Sequence, residues 1–184
     1  MVKFWRHTKS TIQAKLWDKI RNVKFEECLS VQDLSLNEAI NLLDTSVYFE
    51  SLKIPVPDTD EKIFHYMSEE GIILKQDNGL FSITNLGAVT FAKKLSRFPN
   101  IARKAIRLVQ YEDDSRANLT KEYTINQGYV AGIAEVMKYI DVLLPSKEVI
   151  HGASRIKKQP YPPVAVRELI ANSLIHQDFS ITGT

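Results

Sequence analysis

The feature that most restricts the fold of this chain is a predicted β-hairpin at residues 72–84, with the sequence IILKQDNGLFSIT. Asn78 and Gly79 form a dipeptide that two-residue hairpin turns favour, because both central positions of such a turn need a positive φ. Apolar and β-branched residues flank the dipeptide on both sides, as strands require. The local sequence therefore predicts two antiparallel strands here.

Two amphipathic helices are predicted before the hairpin. Ser35 and Glu38 match the S-x-x-E capping box, and an apolar stripe follows at helical spacing. The members of the stripe are Leu36, Ala39, Ile40, Leu43 and Val47. The segment KIPVPDTD then ends the helix, because proline forces extended backbone before it. We expect the second helix to begin at Asp58 or Thr59 and to stop at Gly71.

Two helices followed by a hairpin are typical of a winged helix, in which the second helix contacts DNA bases and the hairpin contacts the DNA backbone. The second helix here, TDEKIFHYMSEEG, carries four carboxylates and one lysine, so it would repel phosphate. We therefore interpret it as a packing helix in a helical connector. A stand-alone winged-helix DNA-binding module stays open as an alternative.

The remaining sequence predicts alternating helices and strands. Another helix is expected from Asn85 through Leu95, followed by a strand in ARKAIRLVQYE and a polar loop in EDDSRANLTKE. A long helix is predicted from Thr124 to Leu144, and EVIHGASRIKK is predicted to be one strand. Pro162 and Pro163 suit the first turn of the last helix. Backbone N–H groups in that turn have no partner within the helix, so proline, which lacks the N–H, loses no hydrogen bond there. The predicted fold class is α+β.

At the other end of the sequence, residues 2–6 alternate weakly as a strand does, and a helix can begin at Ser10 or Thr11. This strand has no partner nearby in the sequence. We therefore expect it to be the last strand of a larger domain.

Composition excludes several classes of protein. The formal net charge of +2 is too small to indicate nucleic-acid binding by itself. A single cysteine, Cys28, excludes an internal disulfide and suits a reducing cytoplasm. No apolar run approaches the ~20 residues of a membrane helix. Cys28 and the four histidines lack metal-ligand spacing, and no glycine-rich phosphate loop is present.

The last predicted helix places Glu168 and Asn172 on one face, since residues four apart lie one turn above each other. An amide oxygen can bind Mg²⁺, and a carboxylate can polarise a water for attack on phosphate. From spacing alone, a solvated surface helix is the simpler interpretation. The opposite face should pack on a sheet through Val166, Leu169, Ile170 and Leu174.

The segment RELIANSLIHQDFS resembles the N-box of the gyrase, heat-shock chaperone, histidine kinase and MutL (GHKL) ATPases. The longer YPPVAVRELIANSLIHQDFSITGT is more similar to a stretch of the Schlafen–AlbA-type, RecG-like transcriptional regulators, including its tail of His176, Asp178 and Phe179. Upstream, FSITNLGAVTFAKKLSRFPNIARKAIRLVQYE and FWRHTKSTIQAKLWDKI also resemble that family. Its members join an AlbA-like DNA-binding domain to a degenerate, Bergerat-type ATP-binding domain.

The resemblance implies that the chain is a middle section of such a regulator. Residues 1–30 would be the remnant of the AlbA-like domain, residues 31–98 the connector, and residues 99–184 the incomplete α/β, Bergerat-type domain. Asn172 would bind the Mg²⁺ of Mg-ATP and Glu168 would position the attacking water. The Asp-x-Gly-x-Gly adenine box of GHKL proteins is absent from the sequence. We therefore expect neither a cofactor nor catalysis in this chain alone.

DNA is the partner that the resemblance implies. The basic residues that would contact phosphate are Arg6, Lys9, Lys157 and Lys158. A non-catalytic interaction scaffold, including a homo-oligomer, is the second alternative that stays open. The sequence predicts a cytoplasmic protein with no membrane partner.

Overall fold

The computed structural model describes residues 24–115, 118–143, 147–151, 154–158, 161–179 and 181. These residues form an α+β fold, as the sequence predicted. The strand and helix expected within residues 2–22 lie outside the described residues. None of the described helices has the length and apolarity that crossing a bilayer demands.

Residues 29–84 fold into three helices and a small antiparallel sheet. The elements are β1 (Leu29–Leu34), α1 (Leu36–Leu42), α2 (Thr45–Leu52), α3 (Asp60–Glu69), β2 (Ile73–Lys75) and β3 (Phe81–Thr84). The strand order is β1-β3-β2, so β3 lies in the middle. The hairpin prediction is confirmed, since Ile73 pairs with Ile83 across β2 and β3. The turn is not the predicted two-residue type: Gly79 has a positive φ, of 82°, but Asn78 does not, and the Gly79 N–H donates to the Gln76 carbonyl at 3.0 Å. The sequence did not predict β1.

The apolar stripe that predicted one helix through Val47 belongs to two helices. Asp44 ends the first stretch and caps α2, because its Oδ1 accepts a hydrogen bond from the Val47 N–H at 3.2 Å. Leu43 leaves the helix to form a β-bridge with Ala92, and the Asp44 N–H donates to the Phe91 carbonyl at 2.7 Å. Tertiary pairing thus overrides the local helical pattern. The predicted capping box of Ser35 is present at the start of α1.

The following helix, α4 (Asn85–Phe91), is shorter than predicted. It ends before Leu95 because the residue after it, Ala92, pairs with Leu43 in the bridge. A short 3-10 helix, Leu95–Arg97, follows separately.

Two hairpins and two helices complete the described chain. The elements are β4 (Ile106–Tyr111), β5 (Leu119–Ile125), α5 (Tyr129–Leu143), β6 (Lys147–His151), β7 (Ser154–Lys158) and α6 (Pro163–Ile175). β4 pairs with β5, and β6 pairs with β7, both antiparallel. β5 replaces the end of the loop predicted at residues 112–122 and the start of the helix predicted from Thr124, and residues 148–158, predicted as one strand, belong to a hairpin; these predictions are wrong. In β5 only Ile125 is buried, so the strand depends on backbone pairing rather than on an apolar pattern.

One hydrophobic core runs through the connector into the second half. Its fully buried members come from the helices, from the sheet and from the segment after α4; the largest are Phe49, Phe98, Leu43, Met67, Ile73, Ile83, Leu95 and Ile101. Tyr129 at the start of α5 joins the same cluster. The two halves therefore share a packed core and are not held together by a linker alone.

Backbone hydrogen bonds fix the start of α5 to the end of α4. The Gly128 N–H donates to the Ala92 carbonyl at 2.8 Å, and the Leu95 N–H donates to the Asn126 carbonyl at 2.7 Å. A Cβ on Gly128 would lie 2.4 Å from the Thr90 carbonyl oxygen, closer than real Cβ atoms approach. Glycine is therefore required for this close approach of two backbones.

Candidate functional site

The helix that carries the predicted N-box, α6, begins as its sequence indicated. Pro163 occupies the first helical position, after Pro162 in extended backbone. Val166, Ile170 and Leu174 are half-buried, and the helix packs mainly against α5. Leu169 was predicted to pack with them, but its side chain is 72% exposed. The prediction that α6 packs on a sheet is also wrong, because its main packing partner is the helix α5.

Glu168 and Asn172 lie one turn apart on the exposed side of α6. Within the described residues, neither side chain has a hydrogen-bond or ion-pair partner. The carbonyl of Asn172 accepts a hydrogen bond from the His176 N–H at 3.0 Å, but the side-chain amide takes no part in this bond. A free carboxylate and a free amide oxygen are thus presented together, and both atoms can serve a magnesium–phosphate group.

These two side chains alone do not form a metal site. Among the described residues, no three His, Cys, Asp or Glu side chains come together in a way that could hold a metal ion. Mg²⁺ in nucleotide sites typically has one or two protein ligands and completes its shell with phosphate oxygens and water. Asn172 and Glu168 therefore fit a Mg²⁺ ion only if a polyphosphate supplies some of its other ligands.

Apolar side chains border this polar pair. Val164, Leu169 and Ile175 are 69%, 72% and 68% exposed. A surface helix usually turns its apolar residues toward a core, so three such residues on an open face mark a surface that another element can cover. We call Glu168, Asn172 and these three side chains the open face of α6.

The tail after α6 anchors the helix to the rest of the fold. Gln177 Nε2 donates to the Tyr129 hydroxyl at 2.9 Å, and that hydroxyl donates to the Lys104 carbonyl at 2.8 Å. Phe179 stacks on Phe25, and the Lys104 ammonium lies 5.7 Å from the centre of the Phe179 ring. Burial raises the pKa of Tyr129 above its ordinary value. In this structure, Phe179 of the family-like tail has a packing role.

The four basic residues predicted to contact phosphate are not assembled into a described site. Arg6 and Lys9 lie outside the described residues. Lys157 and Lys158 are on β7, in register with Glu148 and Lys147 of β6. Their contribution to a nucleic-acid surface stays a prediction.

Sequence reasoning missed a different group of cations, which lines a cleft beside α1. Lys93, Lys94 and Arg97 follow α4 and all three are exposed. A local signal was available: residues 78–111 contain six lysines and arginines and no carboxylate. The small net charge of the whole chain concealed this concentration, since acidic residues elsewhere compensate for it.

A similar fold occurs in the crystal structure of the DIP2311 protein from Corynebacterium diphtheriae, with a TM-score of 0.57 and 15% sequence identity. The match covers 92% of this chain and 32% of that protein, so the chain spans about a third of the length of DIP2311. No protein-family profile matches the chain, and no curated protein matches it significantly. At this identity the likeness is one of fold.

Proposed function

We propose that this chain is part of an ATP-linked, DNA-binding transcriptional regulator and performs no catalysis by itself. The observation that carries the proposal is the open face of α6, where Glu168 and Asn172 lie one turn apart and have no side-chain partner among the described residues. A carboxylate and an amide in this arrangement suit the roles that the family resemblance gives them. In the complete regulator, Asn172 would hold Mg²⁺ and Glu168 would position a water toward the γ-phosphate.

The exposed apolar residues support the same proposal. Val164, Leu169 and Ile175 flank the polar pair and leave apolar surface uncovered. A nucleotide-binding domain of the Bergerat type supplies further structure around its N-box helix, and that structure would cover these side chains. The regulator works in the cytoplasm, in keeping with its single cysteine.

The test is Mg-ATP binding to a longer protein that contains this chain and a complete nucleotide domain, measured by calorimetry. Asn172→Ala should abolish binding, because the amide oxygen that binds the metal is lost. Asn100→Ala makes the same change at another exposed asparagine and should leave affinity unaltered. Retained Mg-ATP binding in Asn172→Ala would show that the N-box assignment is wrong.

A second candidate function is an interaction scaffold, and the open face of α6 also favours it. Three large apolar side chains on one helix suit a protein partner or a second copy of the chain. Light scattering after gel filtration separates the possibilities. A dimer that Leu169→Asp converts to a monomer supports the scaffold, whereas a monomer at high concentration argues against self-association through this face.

A further inference from the structure

A cleft of about 520 Å³ lies between α1 and the segment that follows α4. Its walls are held together by backbone contacts, since the Lys93 N–H donates to the Leu42 carbonyl at 3.0 Å beside the Leu43–Ala92 bridge. The lining residues are Leu34, Glu38, Asn41, Leu42, Lys93, Lys94 and Arg97. The helix break at Asp44, which the apolar pattern did not reveal, therefore builds this cleft.

Three cations of the cleft are available to a ligand. Lys93, Lys94 and Arg97 form no ion pair or side-chain hydrogen bond with any residue that the structure describes. Glu38 is the only carboxylate in the lining, and it is occupied by Ser35, whose hydroxyl and N–H donate to it at 2.6 and 2.8 Å. These bonds lower the pKa of Glu38, so it stays ionised but directed at Ser35. The lining thus carries three positive charges against one negative charge.

Apart from Glu38, the acidic residues of the connector lie outside the lining of the cleft. The carboxylates of α3 are not among the lining residues, and no carboxylate occurs between residues 78 and 111. A cleft with three cations and one carboxylate, itself bonded to Ser35, has a net positive potential that attracts anions. The acidic helix α3 would repel a polyanion. The cleft is a separate, cationic surface that could still bind one.

We infer that this cleft binds backbone phosphates of nucleic acid through Lys93, Lys94 and Arg97. The inference takes the identity of its ligand from the proposed DNA-binding function. A small phosphorylated ligand is less suited, because pockets for such ligands enclose them with a few fixed polar groups. All five polar residues of this lining are exposed. Exposed lysine and arginine side chains are the usual contacts of a phosphate backbone.

The test is fluorescence anisotropy of the chain with a labelled mixed-sequence duplex over a range of salt concentrations. The variant Lys93→Ala/Lys94→Ala/Arg97→Ala removes the cations of the cleft. A matched control, Lys62→Ala/Lys75→Ala/Lys121→Ala, removes the same charge from exposed positions on α3, β2 and β5. Thermal unfolding of both variants should match the wild type, because all six side chains are exposed.

The cleft variant should lower the slope of log affinity against log salt by about 2.7, since each contacted phosphate contributes about 0.9. Between about 50 and 200 mM salt, the wild-type affinity should then fall about 40-fold more than that of the variant. The control should keep the wild-type slope.

Two results would overturn the inference in different ways. If the cleft variant still binds duplex and keeps the wild-type slope of log affinity against log salt, the DNA contacts lie elsewhere and the proposed function stands. Failure of the wild type to bind duplex at low salt, with inorganic triphosphate bound in a parallel titration, would make the cleft a small-anion site. That second result would also remove DNA binding from this chain, while the Asn172 experiment would still test its link to ATP.

Discussion

The ring of Phe179 stacks on the ring of Phe25, with centroids 4.7 Å apart and planes inclined by 15°. The two residues lie at opposite ends of the described chain, so their contact ties the segment after α6 to the segment before β1. Both rings also pack against the central hydrophobic cluster. The contact fixes the position of α6 and hence of Glu168 and Asn172.

Phe179→Ala should lower the free energy of unfolding by about 2 kcal/mol, because a half-buried ring and its stacking partner are separated. Urea denaturation measures the change. Ile181→Ala is a suitable control, since that neighbouring side chain is 60% exposed and should matter little. Equal stability of the two variants would mean that the stacking does not hold α6 in place.

Gly128→Ala should destabilise the fold by about 2 kcal/mol or more, because the new Cβ meets backbone that cannot move aside cheaply. The clash is with the Thr90 carbonyl oxygen at 2.4 Å. Gly132→Ala is the matched change within α5, where the nearest atom is the flexible Ile106 Cδ1 at 3.0 Å. We expect this control to be much milder in thermal unfolding. A harmless Gly128→Ala would contradict the close approach of the two halves.

Stability should fall as the pH rises above about 10, partly through Tyr129. Burial raises the pKa of this hydroxyl above its ordinary value of 10.0, so the unfolded state loses the proton first. The contribution of Tyr129 to stability is fully present below the pKa that its hydroxyl has in the unfolded state. It is lost as the pH rises toward the higher pKa of the folded state. Tyr129→Phe should weaken this dependence in urea melts at pH 9 to 11, whereas Tyr111→Phe, at an exposed tyrosine, should not. An unchanged profile in Tyr129→Phe would contradict the assignment.

Local chemistry predicted several elements correctly. The hairpin around Gly79, the Ser35 capping box and the proline start of α6 all depend on neighbouring residues, and all are present. The errors occur where distant pairing decides the structure. Leu43 leaves its helix to pair with Ala92, and β5 is a strand because it pairs with β4 although only Ile125 is buried.

The candidate site divides in the same way. Helical spacing placed Glu168 and Asn172 on one face, and their shared exposure agrees with it. The spacing could not show that Leu169 is exposed, because that depends on which element packs against α6. The cleft at Lys93 could not be predicted either, since its walls meet only through the bridge between two separated segments.

If the proposed function is right, the chain alone should hydrolyse no ATP, because Glu168 lies on an open face and the sequence lacks the Asp-x-Gly-x-Gly motif of GHKL proteins. A phosphate-release assay with Mg-ATP checks this. Glu168→Gln should therefore leave the background rate unchanged. Turnover by the wild type that disappears in Glu168→Gln would overturn the statement and make this chain an enzyme.

The most direct test of the account is whether the wild-type chain binds duplex DNA, measured by fluorescence anisotropy at low and moderate salt. The proposed function and the proposed nucleic-acid contacts of the cleft together predict binding that weakens steeply as salt rises. Absence of binding at low salt would contradict this prediction and would leave these residues as a connector between functional domains.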